Sequence, residues 1–365
     1  MAQETVSVTR VLMLAPQMEP RGTSEYTCNL AAELQDSQVQ VMVFCVPGPS
    51  MAILRREGVA VREFDHLQGL RFQLGRGRFL SAVQEFDPQL VHAQSYRAGG
   101  ALNLLSKGSD LPLVLTVHCL PRRTRGLRRL SRHLGGLIAT SQSVREGLVN
   151  QCRVDRSKIE VIHNGIDVES LEQREVPPIF QGELPVVASL GPIEERRGHA
   201  LFVEAASSLV RNGVRAQFVV AGHGAELPEV RDLVGRLGLE RYVTIATEFV
   251  AYEEVLGAMD VVVQSSLEDV SGFSILESMG HGRPVVAFNT GTACEMIEDG
   301  RTGMLVSKGD AQGLARAIEH LISHKDIARE MGQEARRSVK ENFNIKTIAR
   351  TTLQFYAGML SARAS

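Results

Sequence analysis

The chain alternates short apolar runs with stretches of helical spacing. Val11–Pro16 is a compact apolar run, and Thr23–Leu34 after it places apolar residues at helical intervals. The pairing recurs at Val41–Val46, Leu90–Ala93, Leu113–His118 and Leu137–Thr140, each run closing on polar or small residues. Strands alternating with helices predict right-handed crossovers and a parallel sheet covered on both faces. The pattern pauses over 172–185, which holds Pro177, Pro178 and Pro185. It restarts at Val186–Leu190, Gln217–Ala221, Val243–Ala246, Val261–Gln264, Val285–Phe288 and Met304–Val306. The economical reading is an α/β chain of two facing, doubly wound (Rossmann-like) parallel-sheet domains. Residues 1–175 form the first, 176–185 a linker and 186–345 the second. A last helical pattern over 346–365, with Ile348, Leu353, Tyr356 and Leu360, can pack back on the N-terminal domain.

Composition narrows the function. With 365 residues, 44% hydrophobic and 22% charged, the chain suits two domains with substantial cores rather than a disordered segment. Forty Lys and Arg against 42 Asp and Glu leave a net charge of −2, so attraction to nucleic acid does not organise the molecule. Five scattered cysteines argue against a disulfide framework or a zinc module. No apolar run approaches the ~20 residues of a membrane span. The start, MAQETVSVTR, lacks the basic and then apolar layout of a signal peptide. The expectation is a cytoplasmic protein, with any membrane contact peripheral and at the inner face.

Charge is unevenly placed: Arg122, Arg123, Arg125, Arg128, Arg129 and Arg132 fall within eleven residues. The plain reading is a solvated basic helix face. The functional one is a surface for an anionic acceptor or for a membrane, where each basic residue adds ~1 kcal/mol.

In doubly wound sheets ligands bind beyond the carboxyl ends of the strands, so the turns there carry the chemistry. Gly22 follows the first strand and lets a ligand approach the backbone at a helix start. His118 closes a strand, where an imidazole can meet a hydroxyl or developing charge. Arg196 and Arg197 lie in the turn GPIEERRG and suit a diphosphate. Gly222 and Gly224 form a lone Gly-x-Gly without the third glycine of a dinucleotide fingerprint, which argues against a dehydrogenase. The run Ser265–Met279 is the richest. There Gly272 opens a helix whose N–H groups at Phe273, Ser274 and Ile275 suit phosphate oxygens. Glu277, one turn in, can accept two hydrogen bonds from ribose hydroxyls. Asp269, before the turn, can reach the hydroxyls of a sugar.

At these residues the chain resembles the retaining family 4 (group 1) glycosyltransferases of the GT-B fold, over nearly its whole length. The likeness also takes in VIHNGID at Val161–Asp167, LGPIEERRG at Leu190–Gly198, VVAGHG at Val219–Gly224, GHGRPVVA at Gly280–Ala287 and the turn Gly291–Glu295. It implies that Gly22 approaches the donor phosphate, His118 contacts the donor sugar and Arg197 binds the diphosphate. Gly222 and Gly224 would lie near the nucleotide and Thr247–Phe249 by the base, with Asp269 on the sugar and Glu277 on the ribose. The chain departs from the family at four points. Arg21 replaces the first glycine of the first loop, Pro192 an arginine, Arg197 a lysine, and Asp269 the leading glutamate of a two-glutamate motif.

The implied activity is transfer of a hexose from a nucleotide-diphosphate sugar to a hydroxyl acceptor, glycan or lipid-linked, with retention. No Asp-x-Asp pair occurs, so neither a metal nor a cofactor beyond the donor substrate is expected. Two alternatives fit the same architecture: a GT-B protein that binds nucleotide sugar with little or no turnover, favoured by Pro192, and a sugar-nucleotide epimerase.

Overall fold

The computed structural model describes residues 7–20, 22–121, 124–172, 177, 179–247, 252–268 and 270–364. The chain forms two compact units, Met1–Asp167 with Asn344–Ser365, and Val168–Phe343. The first crossing therefore falls ahead of the 176–185 stretch expected as the linker.

The first unit is built on seven parallel strands: β1 (Arg10–Ala15), β2 (Gln40–Cys45), β3 (Ala60–Glu63), β4 (Leu90–Ala93), β5 (Leu113–Val117), β6 (Gly136–Ala139) and β7 (Ile159–Val161). Their order is β3-β2-β1-β4-β5-β6-β7, so the connection from β3 to β4 crosses back over the first strand. Leu12 and Leu14 of β1 join Phe44, Phe79, Leu102 and Leu127 in one core cluster. Val11 and Met13, equally buried, point to the other face. Helices cover both faces, which is why β1 reads as a continuous apolar run.

The last helix, Ile345–Ala364, returns to the first unit. It is fastened where the Ile345 N–H donates to the Ile166 carbonyl (3.0 Å), and it packs along the helix Thr23–Asp36. Its Tyr356, fully buried, reaches Nδ1 of His92 in β4 at 2.5 Å.

The second unit holds six parallel strands: β8 (Val186–Leu190), β9 (Gln217–Ala221), β10 (Val243–Ala246), β11 (Val261–Gln264), β12 (Val285–Phe288) and β13 (Gly303–Val306). They run in the order β10-β9-β8-β11-β12-β13. The segment leading into β8 is clipped by two buried charges. Asp260 accepts the N–H groups of Phe180 and Val186, the latter at 2.7 Å. Arg283 donates to the carbonyls of Pro177 (2.6 Å) and Gly257 (2.9 Å). Burial pulls the Arg283 guanidinium below its ordinary pKa, and the charge of Asp260 opposes that. Among the described residues no helix is long and apolar enough to cross a membrane.

Candidate functional site

In the first unit the turns after β1, β5 and β7, with the helix Thr23–Asp36, bring four residues together. Gly22 stands at φ +56°, before the helix Thr23–Asp36, and its carbonyl accepts the Tyr26 N–H (3.0 Å). A positive φ with that ψ is a conformation that glycine supplies without strain. One turn on, Tyr26 meets the His118 imidazole edge-to-face, ring centres 5.6 Å apart. His118 donates from Nδ1 to Oδ1 of Asn164 at 2.9 Å, and both residues are buried. That bond fixes which nitrogen carries the proton. Burial lowers the His118 pKa to about 4, against the opposing hydrogen bonds to Asn164 and the Gln94 backbone. The ring is therefore neutral near pH 7, suited to a sugar hydroxyl rather than to standing as a resident cation.

Behind it lies a second histidine that sequence reasoning passed over. His92 Nδ1 accepts from Gln94 Nε2 (2.9 Å) and from the Tyr356 hydroxyl, and its Nε2–H donates to Thr116 Oγ1 (2.7 Å). Burial takes its pKa down to about 3. The network ties the strand-end turn that carries Gln94 to the returning helix.

In the second unit the turns after β8, β9 and β11 interlock. The Gly191 N–H donates to the Ala221 carbonyl (2.9 Å), and the Ile193 N–H donates to that of His223 (3.0 Å). A Cβ on Gly222 would lie 1.9 Å from the Gly191 carbonyl oxygen, and one on Gly224 would lie 2.2 Å from that of Ile193. The close approach that requires these two glycines is thus made by the protein's own 191–193 backbone. The Arg197 guanidinium lies against Gly191, 3.7 Å from the position a Cβ would take. Arg196 is held by Glu194, Nε to Oε2 at 2.8 Å.

His199, also missed, anchors this turn. Its Nε2–H donates to the Pro192 carbonyl (3.1 Å), and its Nδ1 accepts from Ser189 (3.0 Å). Burial, and to a lesser degree the nearby Arg197 charge, lowers its pKa to about 4. The signal was present as the imidazole directly after Arg-Arg-Gly, but its partner is a backbone carbonyl, which no sequence pattern displays.

The turn after β11 is stitched to the same loop. The Leu267 N–H donates to the Arg196 carbonyl (2.8 Å), and Ser265 Oγ donates to that of Arg197 (3.2 Å). Gly272 then opens the helix Phe273–Gly280 at φ +73°, where a Cβ would also crowd Met296 and Thr292. Of the three N–H groups expected to face phosphate, that of Ile275 is used inside the helix, donating to the Gly272 carbonyl (3.1 Å). Ser274 turns its hydroxyl to Gln264 Oε1 (3.0 Å), and Phe273 is buried. Glu277 sits one turn in and half-buried.

Asp269, Phe249, Arg122 and Arg123 lie outside the described residues. Arg125, Arg128, Arg129 and Arg132 are exposed on and just after the helix Arg125–Ser131, whose Leu127 and Leu130 face the core. Among the described residues no group of three or more His, Cys, Asp or Glu side chains is placed to hold a metal ion.

Two family models match the chain in order: Glycosyltransferase Family 4 over residues 20–170 and Glycosyl transferases group 1 over 184–324. An alpha-D-kanosaminyltransferase of Streptomyces kanamyceticus is 34% identical over 154 residues, 41% of this chain and 40% of that protein. An alpha-maltose-1-phosphate synthase of Mycolicibacterium smegmatis is 28% identical over 95% of this chain and 98% of its own length. Among solved structures, Anabaena HepE in complex with UDP and glucose has a TM-score of 0.80 at 22% identity, covering 96% of this chain and 99% of that chain. A glycosyltransferase from Rickettsia africae has the same TM-score and identity, over 97% and 99%. The two doubly wound units are those of the GT-B glycosyltransferases, and the chain belongs to the family 4 (group 1) glycosyltransferases.

Proposed function

We propose that the protein moves a hexose from a nucleotide-diphosphate sugar to a hydroxyl acceptor on a glycan or a lipid-linked glycan, with retention and without a metal. The observation that carries this reading is the Arg197 guanidinium held against Gly191 in a turn locked by His199, Gly222 and Gly224. A fixed cation beside a helix start stabilises charge as it builds on a leaving diphosphate, with no reorganisation at the moment of reaction.

The bond from the anomeric carbon to the phosphate oxygen breaks, and a bond to the acceptor oxygen forms on the same face. The departing phosphate oxygen takes the acceptor's proton. Gly22 approaches the donor phosphate and neutral His118 holds a hydroxyl of the donor sugar. Asp269 holds other sugar hydroxyls, Glu277 those of the ribose, and Gly272, Phe273 and Ser274 shape the phosphate end. HepE, solved with UDP and glucose, makes UDP the first nucleotide to try.

The test is to incubate the protein with UDP-, GDP- and ADP-hexoses and glycan acceptors, with EDTA present, and to read nucleotide release and product anomer. An acceptor-dependent product of unchanged configuration is expected. A product of inverted configuration, or turnover abolished by EDTA and restored by a divalent cation, overturns the corresponding part. Pro192 supports one second reading, binding without turnover. A thermal shift with a nucleotide sugar but no product from any acceptor would select it.

A further inference from the structure

We infer that His320 and His324 form a chelating site on the second unit for a transition-metal dication of the Cu²⁺, Ni²⁺ or Zn²⁺ class; the site lies outside the transfer reaction and does not depend on it. The helix Ala311–Ser323 buries Leu314, Ala317, Ile318 and Leu321 and leaves His320 exposed on its last turn. His324 follows four residues later, exposed between that helix and the next, Lys325–Asn342. Residues at this spacing face one another. The two imidazoles do so, with ring centres 4.5 Å apart and planes inclined by 32°.

The hydrogen bonding states what the pair can hold. The His324 backbone N–H and its Nδ1–H both donate to the His320 carbonyl, at 3.0 and 2.9 Å. A ring anchored through one nitrogen on a main-chain carbonyl is oriented as metal-ligating imidazoles are, with the lone pair left on Nε2. The flanking charges are engaged elsewhere. Arg316, one turn before His320, is paired with Asp310 (3.2 Å), and Asp326 with Arg329 (2.9 Å). Lys325 lies over the Phe180 ring, 5.3 Å from its centre. Among the described residues neither imidazole is paired with a carboxylate. Nitrogen donors of this kind select Cu²⁺, Ni²⁺ or Zn²⁺ over Mg²⁺ and Ca²⁺. Two protein ligands leave the remaining coordination positions to water. Phe180 stands ahead of β8 and donates to Asp260, ahead of β11. The pair therefore sits where the strands of the second sheet begin, at the other end from the turns after β8, β9 and β11. A cation held by both rings ties the end of one helix to the start of the next and stabilises the folded second unit.

The full chain, freed of metal with EDTA and moved into a non-chelating buffer, is titrated calorimetrically with Cu²⁺, Ni²⁺, Zn²⁺ and Mg²⁺. The expected result is a tight Cu²⁺ site, weaker Ni²⁺ and Zn²⁺ binding there, and no Mg²⁺ binding. The second imidazole binds as an intramolecular ligand, so His320→Asn or His324→Asn should each weaken Cu²⁺ binding by about tenfold or more. His133→Asn, at another exposed histidine, leaves it unchanged. Excess Ni²⁺ raises the unfolding temperature of the wild type and of neither site variant. Both side chains are in water, so the metal-free variants unfold at the wild-type temperature. Electron paramagnetic resonance of the wild-type Cu²⁺ adduct needs no variant and should show two coupled imidazole nitrogens. A single coupled nitrogen, Cu²⁺ affinity unchanged in either site variant, or Mg²⁺ binding as tight as Cu²⁺ would overturn the inference.

Discussion

Asn164 and His118, 46 residues apart in sequence, meet through a 2.9 Å hydrogen bond between Oδ1 and Nδ1. The contact does two things to the imidazole. It selects the tautomer, and it opposes part of the burial that brings the pKa to about 4. Asn164→Asp places a negative charge at the same point and stabilises the imidazolium, so the His118 pKa rises toward neutrality. If neutral His118 serves transfer, the acid limb of the pH–rate profile moves to higher pH in that variant. Asn164→Leu removes the tautomer selection and should lower turnover by about tenfold. Profiles and rates matching wild type in both variants would remove His118 from the reaction.

Arg197 and Arg196 are neighbours with different commitments. Arg196 is paired with Glu194 at 2.8 Å, whereas Arg197 lies along the Gly191 turn. Arg197→Ala should therefore reduce transfer by ~10²-fold, as loss of a single oxyanion donor does. Arg196→Ala should stay within a few-fold. Steady-state rates of both variants check this, and equal losses would show that the ion pair with Glu194 does not divide their roles.

Gly222 has no room for a methyl group, because its Cβ would sit 1.9 Å from the Gly191 carbonyl oxygen. Gly222→Ala must push the 191–193 turn away, and Arg197 with it. Overpacking of this kind costs about 1–3 kcal/mol. The expected outcome is a lower unfolding midpoint in denaturant together with a weaker nucleotide-sugar thermal shift. A variant as stable as wild type, with unchanged donor binding, would mean that the turn moves without consequence.

The glycine case marks where sequence reading stops. Gly-x-Gly is visible after a strand, where the resemblance implies a nearby nucleotide, but the group packed against both glycines is a main-chain carbonyl of the chain itself. Main-chain partners leave no trace in side-chain letters, and the same holds for His199 against Pro192. Distance hides others: His92 and Tyr356 are 264 residues apart, and Leu90–Ala93 was read only as a strand. The sheets were legible because buried parallel strands such as Val261–Gln264 are apolar on both faces. The exceptions are the edge strands Ala60–Glu63 and Ile159–Val161. Their outward residues, Glu63 and Glu160, face water and break the pattern.

Three buried histidines give stability a predictable pH dependence. His92, His118 and His199 have pKa values lowered by burial to about 3, 4 and 4, against 6.5 for the free side chain. Each is neutral in the fold but takes up a proton on unfolding once the pH falls below 6.5. Between that pH and about 4 the unfolded chain binds more protons, so stability rises with pH across this window. It is fully present above the unfolded value and drains away on acidification. The slope is at most about 1.4 kcal/mol per pH unit for each histidine. The first unit holds two of them, so its stability falls the more steeply on acidification. Denaturant midpoints measured from pH 7 down to about 4 should fall, and His199→Asn should flatten the part belonging to the second unit. Midpoints that hold steady or rise on acidification would mean that these imidazoles are charged in the folded protein, and the neutral role given to His118 would go with them.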